Sequence, residues 1–440
     1  MSVGKQGIRQ IVFADINEQN LHEFIPRNVS SLEDIKDNVL EIINSVKTEG
    51  DIAIQQYTEQ FDAVSIELNQ IQVEEAEIEE SYEVIDKNLL HALQFAKKNL
   101  IKFHQAQLRK DWSVKIIEGV TAGQIFRPIE SVGIYVPGGR AIYPSTVLMT
   151  AAPAYVAGVK ECIICSPPQK NGRIAPEILV AAREFDITKI FKVGGVQAIA
   201  AMAFGTETIP KVLKVVGPGN KWVNAAKQLL SYIIAIDNPA GPSEILIIAD
   251  NSADYKKVLL DFISQIEHDP DNVGIIATTS SELIRNIQQN IDNFIVNAQR
   301  KEIIQLALRN TLLIKCNSLQ ECISLSNMIA PEHLEILTQN PRSLLEGINN
   351  AGAIFLGENT PVPLGDYSAG TNHVLPTGGY AKTYSGLNAY DFLKVIDVLE
   401  CSSLGLKKLS ESAMRLASFE KLFAHREAIM KRLLELEEDK

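Results

Sequence analysis

VGIYVPGG, residues 132–139, is a short run of strand-forming residues that ends in Pro-Gly-Gly. Three similar runs follow it, and each also ends near Gly or Pro: KECIICSPP (160–168), ITKIFKVGG (187–195) and VLKVVGPGN (212–220). Longer stretches with apolar residues at helical spacing separate these runs. Because strands alternate with helices, the pattern predicts a parallel sheet with helices on both faces.

A second set of four such runs follows: SEILIIAD (243–250), NVGIIATTS (272–280), NTLLIKCNS (310–318) and GAIFLGEN (352–359). The sequence therefore predicts an α/β protein with two doubly wound parallel-sheet domains, each Rossmann-like but incomplete, and small helical segments at both ends. The predicted N-terminal segment covers 1–28. The first domain is discontinuous and joins an early helical region, 29–130, to the second strand set, 243–385. The second domain covers 131–242, and a helical tail covers 386–440.

Composition limits the classes of function. The chain has 440 residues, 46% hydrophobic residues and a net charge of −12. An acidic protein of ordinary hydrophobicity is a poor candidate for nucleic-acid binding, which requires a basic surface. No apolar run reaches the roughly 18 residues of a membrane span, and the N-terminus has no signal-peptide core. We therefore expect a cytoplasmic protein that binds neither nucleic acid nor membranes.

The stretch IAPEHLEIL, residues 329–337, places Glu332 beside His333 in a run that is otherwise apolar except for Glu335. Pro331 suits the first turn of a helix, and the helix dipole favours an acid in that turn. A histidine at that end is expected to be neutral, as a general base must be. From these residues alone, a metal site, an acid/base pair and a helix start without chemistry all remain open.

Polar side chains follow the strand ends of the 131–242 unit at Tyr135, Gln197 and Asn220. Open parallel sheets bind ligands at the carboxyl ends of their strands, and glycine there lets the backbone approach a phosphate. However, no G-x-G-x-x-G run followed by an acidic residue is present. Nucleotide binding and simple tight turns are both compatible with this pattern.

Histidines are concentrated in the second half of the chain, where four of the seven lie after residue 260. Gln265 and His268 are three residues apart on a predicted helix and would share a face. Asp366, from a long segment rich in Gly and Pro (357–390), and one more histidine would complete four N/O ligands. Such a shell suits Zn²⁺.

Seven motifs occur in one order along most of the chain: GIYVPGGRAIYPSTVLMTAAPAYVAGV, VGGVQAIAA, VGPGNKWV, DNPAGPSEILIIAD, QIEHDPD, APEHLEI and GDYSAGTNHVLPTGGYAKTYSGL. FEKLFAH continues the series into the tail. Together these motifs resemble those of the histidinol dehydrogenase family. The resemblance implies NAD⁺-dependent oxidation of L-histidinol to L-histidinal and then to L-histidine, the last step of histidine biosynthesis. It also implies one Zn²⁺ per site and a homodimer with intertwined tails.

The resemblance further implies which residues form the site. It makes Glu332 and His333 catalytic. It assigns zinc ligands to Gln265, His268, Asp366 and His425. It assigns NAD⁺ contacts to Tyr135, Gln197 and Asn220. It assigns substrate contacts to Ser243, Gln265, His268, His333, Asp366, His373, Glu420 and His425, of which Glu420 and His425 would come from the tail of a second copy.

Two other functions compete with this interpretation. A zinc hydrolase would use Glu332 to activate water, but it would leave the Gly-rich strand ends without a role. A non-catalytic protein that binds histidinol or histidine would not need an acid/base pair.

Overall fold

The computed structural model describes residues 8–25, 27, 32–138, 141–238 and 241–438. The chain starts with a strand and a short helix, β1 (Arg9–Val12) and α1 (Leu21–Phe24). Four longer helices follow: α2 (Leu32–Glu49), α3 (Asp51–Asp62), α4 (Glu75–Val84) and α5 (Lys87–Gln107). An antiparallel hairpin ends this part of the chain, and it consists of β2 (Trp112–Ile117) and β3 (Val120–Pro128).

The next unit is a five-stranded parallel sheet with helices between its strands. The strands are β4 (Ser131–Tyr135), β5 (Glu161–Ser166), β6 (Ile190–Lys192), β7 (Lys214–Val216) and β8 (Ala235–Ile236). The helices are α6 (Pro144–Ala157), α7 (Pro176–Arg183), α8 (Gly195–Phe204) and α9 (Lys221–Leu230). The strand order is β6-β5-β4-β7-β8, so the direction of winding reverses between β4 and β7.

The following unit repeats this pattern with a sixth strand. Its strands are β9 (Glu244–Ala249), β10 (Val273–Thr278), β11 (Thr311–Lys315), β12 (His333–Leu337) and β13 (Ala353–Leu356). Its helices are α10 (Tyr255–Ile266), α11 (Ser281–Val296), α12 (Lys301–Ala307), α13 (Leu319–Ile329) and α14 (Val362–Tyr367). The order is β1-β11-β10-β9-β12-β13, with β1 parallel to β11 at the edge. The predicted pair of doubly wound parallel sheets is confirmed.

The tail begins with a strand, although the sequence analysis predicts it to be helical. The strand β14 (Leu393–Cys401) pairs antiparallel with β3 and completes a three-stranded sheet. Two helices follow, α15 (Ser403–Phe419) and α16 (Phe423–Glu438), and they pack against each other. Phe419 is 88% exposed and Leu399 is 68% exposed, so the tail leaves large apolar side chains uncovered within one chain. No described helix is both long and apolar enough to span a membrane.

The early helices cover a different sheet from the one predicted. Helices α2 and α3 lie against α8 and α9, while α4 packs on α7 and α5 packs on α6. Their apolar faces belong to the two cores that flank the 131–238 sheet. The prediction that 29–130 forms one domain with 243–385 is therefore wrong for these helices. Helical periodicity identifies a buried face but does not identify the surface that buries it.

Candidate active site

The stretch IAPEHLEIL joins a helix to a strand and does not start a helix. Helix α13 ends at Ile329, and Ala330 adopts a left-handed conformation with φ of 51°. The chain then enters β12 at His333, which pairs with Ile245 on one side and Ala353 on the other. The predicted helix start at Pro331 is therefore wrong. A short apolar run does not distinguish a buried strand from a helix by its periodicity.

The backbone of Glu244 forms hydrogen bonds with the side chains of both Glu332 and His333. Glu332 Oε2 accepts hydrogen bonds from the hydroxyl of Ser243 (2.6 Å) and from the backbone N–H of Glu244 (2.8 Å). His333 Nδ1 lies 3.2 Å from the carbonyl oxygen of Glu244 and must donate there, because a carbonyl only accepts. Nδ1 is also 3.4 Å from Glu332 Oε2. The other ring nitrogen, Nε2, is therefore the one left to exchange a proton.

A second carboxylate faces this free nitrogen. His333 Nε2 is buried without a hydrogen-bond partner, and it lies 3.5 Å from Asp366 Oδ1. Burial lowers the pKa of His333, but the charges and contacts of Glu332 and Asp366 outweigh burial and raise it to about 10. The expectation of a neutral imidazole, which relied on a helix start, is therefore wrong for the chain by itself. Burial raises the pKa of Asp366, but His333, His373 and His268 reverse that shift and lower it.

The predicted metal ligands Gln265 and His268 lie at the end of α10. The helix ends at Ile266, so His268 lies just beyond it and not within it as predicted. A helix that connects parallel strands runs back across the sheet, and its carboxyl end therefore meets the amino ends of the strands. Gln265 Oε1 accordingly lies 3.3 Å from the hydroxyl of Ser243, next to the start of β9. His268 is exposed and close enough to Asp366 for its charge to act on that carboxylate.

The donors gathered here fit a divalent metal in type but not in number. An amide oxygen, an imidazole and a carboxylate are N/O ligands of the kind that Zn²⁺ accepts. However, the part of the chain that the structure describes contains no group of three His, Cys, Asp or Glu side chains that could hold a metal ion. His425 and Glu420 are exposed on the tail, and the structure does not bring them to Asp366 and His268. One chain therefore supplies an incomplete shell.

His373 lies within the same cluster and contacts the backbone of the segment that carries Asp366. Its Nδ1 is 2.8 Å from the backbone carbonyl of Asp366, to which it must donate. Burial lowers the pKa of His373, although Asp366 counteracts part of this effect. A neutral His373 keeps Nε2 as an acceptor that can face a bound molecule.

The residues predicted to contact NAD⁺ lie in the other sheet, at the carboxyl ends of its strands. Tyr135 ends β4, and its hydroxyl oxygen accepts a hydrogen bond from the backbone N–H of Gly195 (3.2 Å). Gln197 is 1% exposed, and neither atom of its amide has a partner. Asn220 caps α9, where its Oδ1 accepts from the N–H groups of residues 222 and 223. Tyr135 and Asn220 flank the point where the strand order reverses, which is the usual ligand crevice of such sheets, and Gln197 lies in the first turn of α8, whose Gly195 contacts Tyr135.

Glu244 is a site residue that sequence analysis does not identify. Its backbone binds both Glu332 and His333, and its side chain is buried. The available signal is a charged residue at the head of SEILIIAD, whose strand is buried throughout. A carboxylate at such a position requires a partner, and the sequence gives no indication of which residue supplies it.

Glu335 lies two residues after His333 in β12 and shares a proton with Asp261 of α10. Glu335 is fully buried, and neither of its oxygens has a donor when both carboxyls are ionised. Asp261 is its hydrogen-bond partner, so one proton between the two carboxyls provides the missing donor. Burial and the charge of Asp261 raise the pKa of Glu335 to about 9.

We expect Glu335→Gln to stabilise the protein selectively at alkaline pH. The folded state retains a proton that the unfolded chain loses above its ordinary pKa of 4.5, so folding stability falls as pH rises from there towards about 9. Glutamine stays neutral and still donates to Asp261. Thermal unfolding should show a gain on the order of 5 °C at pH 8.5 and a much smaller gain at pH 5. Equal gains at both pH values, or a gain in the exposed control Glu80→Gln, would contradict the shared proton.

Comparisons with known proteins agree over nearly the whole chain. A family model described as histidinol dehydrogenase matches residues 25–433. Histidinol dehydrogenase of Methanocaldococcus jannaschii is 48% identical over 421 residues, which cover 95% of this chain and 97% of that protein. The enzyme of Methanosarcina mazei is 46% identical over 420 residues, with coverage of 95% and 96%. The crystal structure of histidinol dehydrogenase from Elizabethkingia anophelis aligns with a TM-score of 0.94 at 38% identity, covering 98% of this chain and 99% of that one.

Proposed function

The chain belongs to the histidinol dehydrogenase family and is an oxidoreductase, and from this premise we propose that it oxidises L-histidinol through L-histidinal to L-histidine with two NAD⁺ and one Zn²⁺ per site. The observation that supports the proposal most strongly is the buried Glu332–His333 pair facing Asp366. Binding alone does not require such a pair. Absorbance at 340 nm with NAD⁺ and histidinol tests the proposal, and a protein that binds histidinol without forming NADH would contradict it.

His333 acts as the base of the first oxidation. Hydride transfer belongs to the nicotinamide, so the protein orients the substrate and manages the protons. Nδ1 is committed to the carbonyl of Glu244, so Nε2 takes the proton of the carbinol hydroxyl. Asp366 and Glu332 raise the pKa of His333, so the ring accepts this proton only after it has lost its own, and the rate should rise towards alkaline pH.

Gln265, His268 and Asp366 would hold the metal, and His425 of a second copy would complete the shell. When bound, Zn²⁺ supplies Lewis-acid orientation of the substrate without redox chemistry of its own. Ser243, next to Gln265, and the Nε2 of His373 complete the polar lining of this site. Glu420, on the same tail as His425, would add a contact to the substrate.

Glu332 activates water for the second oxidation. Its Oε2 is occupied by Ser243 and Glu244, whereas its Oε1 has no hydrogen bond within the described residues. Oε1 can therefore accept a proton from water as that water attacks the aldehyde. The gem-diolate that forms takes back the proton that His333 gained in the first oxidation. The resulting gem-diol then returns a proton to His333 as its hydride passes to the second NAD⁺.

We expect Glu332→Gln to separate the two oxidations. Glutamine retains the hydrogen bonds from Ser243 and Glu244 but is not a base, so the aldehyde step should fall by about 10²–10⁴ while the alcohol step falls less. The readouts are separate rates with histidinol and with histidinal, and histidinal should accumulate. Glu358→Gln, an exposed position, is the matched control. Loss of the metal in Glu332→Gln would contradict the assigned role.

NAD⁺ would bind at the reversal point of the 131–238 sheet, in contact with Tyr135, Gln197 and Asn220. The unpartnered amide of buried Gln197 supports a polar ligand there. Gly217, at the end of β7, has φ of 120°, and a Cβ on it would lie 2.1 Å from the carbonyl oxygen of Tyr135. The backbone therefore leaves no room for a side chain, and the N-terminus of α9 begins just after it. These features suit a pyrophosphate.

The working unit would be a homodimer with exchanged tails. No residue of α16 is buried within the chain, and the apolar residues Phe419 and Leu399 are exposed. Large apolar side chains are exposed close together along the tail, as at Leu416, Phe419 and Phe423, and such clustering is expected at an interface. Covering the tail with a second copy would also bring His425 and Glu420 to a site that lacks them.

A further inference from the structure

An ion pair that is mostly buried adjoins the Glu332–His333 pair. The Glu244 side chain is 5% exposed, and it receives two hydrogen bonds from the guanidinium of Arg27, at 2.9 Å from Nε and 3.0 Å from Nη2. This bidentate geometry is the strongest and most directional arrangement between an arginine and a carboxylate. The roles of Glu332 and His333 proposed above involve neither Arg27 nor the carboxylate of Glu244.

The pair connects three separate segments of the site. Arg27 Nη2 also donates to the carbonyl of Ile329 (2.6 Å), the last residue of α13 before the turn that leads to Glu332. The backbone N–H of Gly378 donates to Glu244 Oε1 (3.1 Å) and belongs to the segment that carries Asp366 and His373. A Cβ on the adjacent Gly379 would lie 2.4 Å from the Arg27 guanidinium, so the segment passes close to this side chain.

The backbone of Glu244 transmits its position to both catalytic side chains. In a strand, the N–H and C=O of one residue point to the same side. Here the N–H binds Glu332 and the C=O binds His333 Nδ1. Rotation or displacement of Glu244 would therefore move the water activator and the base together. It would also release the hydrogen bond that selects Nε2 of His333 as the reactive nitrogen.

We propose that Arg27 and Glu244 are the positioning pair of the acid/base centre, holding Glu332 and His333 in register with the segment that carries Asp366. The inference rests on the proposed roles of Glu332 and His333. The pair acts on the 243–385 sheet, whereas the proposed NAD⁺ contacts lie on the 131–238 sheet. Its loss should therefore lower kcat in both oxidation steps and leave the KM for NAD⁺ nearly unchanged.

The experiment compares Arg27→Met, Arg27→Lys, Glu244→Gln and the double variant Arg27→Met/Glu244→Gln in the zinc-loaded, full-length protein. We expect Arg27→Met to lower kcat by about 10²-fold, the scale of a 1 Å displacement of reacting groups, with the KM for NAD⁺ changed less than twofold. Arg27→Lys should recover part of this loss because one charged donor remains. The double variant should have a higher kcat than Arg27→Met, because it leaves no unpaired buried carboxylate.

Arg173→Met is the matched control, because Arg173 forms an exposed ion pair with Glu80 and should retain full kcat. A folded Arg27→Met with unchanged kcat would overturn the inference, as would equal losses in all four variants. If Arg27→Met does not fold, Arg27→Lys and Glu244→Gln test the proposal instead. An unchanged kcat in both of these variants would contradict the positioning role of the pair. A wild-type protein that forms no NADH from histidinol would instead defeat the proposed function, whatever the variants show.

Discussion

His333→Asn should reduce both oxidation steps by about 10²–10⁴, the usual contribution of a well-placed base. The imidazole Nε2 is the only ring nitrogen free to take a proton, since Nδ1 is bound to the carbonyl of Glu244. Asparagine can retain the hydrogen bond to that carbonyl but is not a base. Steady-state rates with histidinol and with histidinal, each at saturating NAD⁺, measure the two losses.

The metal content separates a base from a ligand at this position. His333→Asn should bind as much zinc as the wild type, because the proposed shell does not include His333. The wild-type rate should also rise towards alkaline pH, and this rise should disappear in the variant. His91→Asn, at an exposed position on α5, is the matched control. If His333→Asn lost its zinc, or lost activity in only one of the two oxidation steps, the role of His333 as the base of both steps would be contradicted.

Mixing two inactive variants should restore activity if the tails are exchanged. Here the body of a chain is the part before the tail. In a heterodimer of His333→Asn and His425→Ala, one site combines the intact body of the His425→Ala chain with the intact tail of the His333→Asn chain. The other site carries both changes. Random pairing of two chains makes half of the dimers mixed, and half of their sites work, so activity should recover to about one quarter of wild type.

A pair of body variants provides the control for this experiment. His333→Asn mixed with Asp366→Ala should not recover, because every mixed dimer still has one changed residue in each body. Absence of recovery with His425→Ala, after mass analysis has shown that mixed dimers form, would mean that each chain uses its own tail. Recovery in both mixtures would mean that the restored activity does not depend on which chain supplies the tail, and it would contradict tail exchange.

The fold was predictable because its signal is local. The strands β4 to β7 are short apolar runs followed by Gly or Pro, as in VGIYVPGG, and the alternation of such apolar runs with helical stretches already implies parallel sheets. The position of Tyr135 and Asn220 follows from the same rule, since polar residues after strand ends gather at the carboxyl edge.

The acid/base centre was less predictable because it lies at the opposite edge of its sheet. Glu332 and His333 precede and begin β12, and Ser243 precedes β9, so all three lie at the amino ends of strands. The helix expected at Pro331 came from local preferences that sheet pairing overrides. The Arg27–Glu244 pair spans 217 residues, and neither residue signals its partner.

Long-range packing limited the rest of the prediction. The amphipathic faces of α2 to α5 were visible, but their partners in the 131–238 unit were not. The strands β2 and β14 were missed because their apolar side chains, such as Ile116 and Leu399, stay exposed in one chain. They lack the buried apolar pattern of a strand such as β9, although Gly119 marks the turn after β2.

The number of NADH formed per histidinol consumed, measured with and without a chelator, tests the central claim most directly. A four-electron oxidation at a zinc site predicts two NADH per histidinol, loss of activity on chelation and recovery when Zn²⁺ is added back. One NADH per histidinol, or full activity after the metal has been removed, would contradict it.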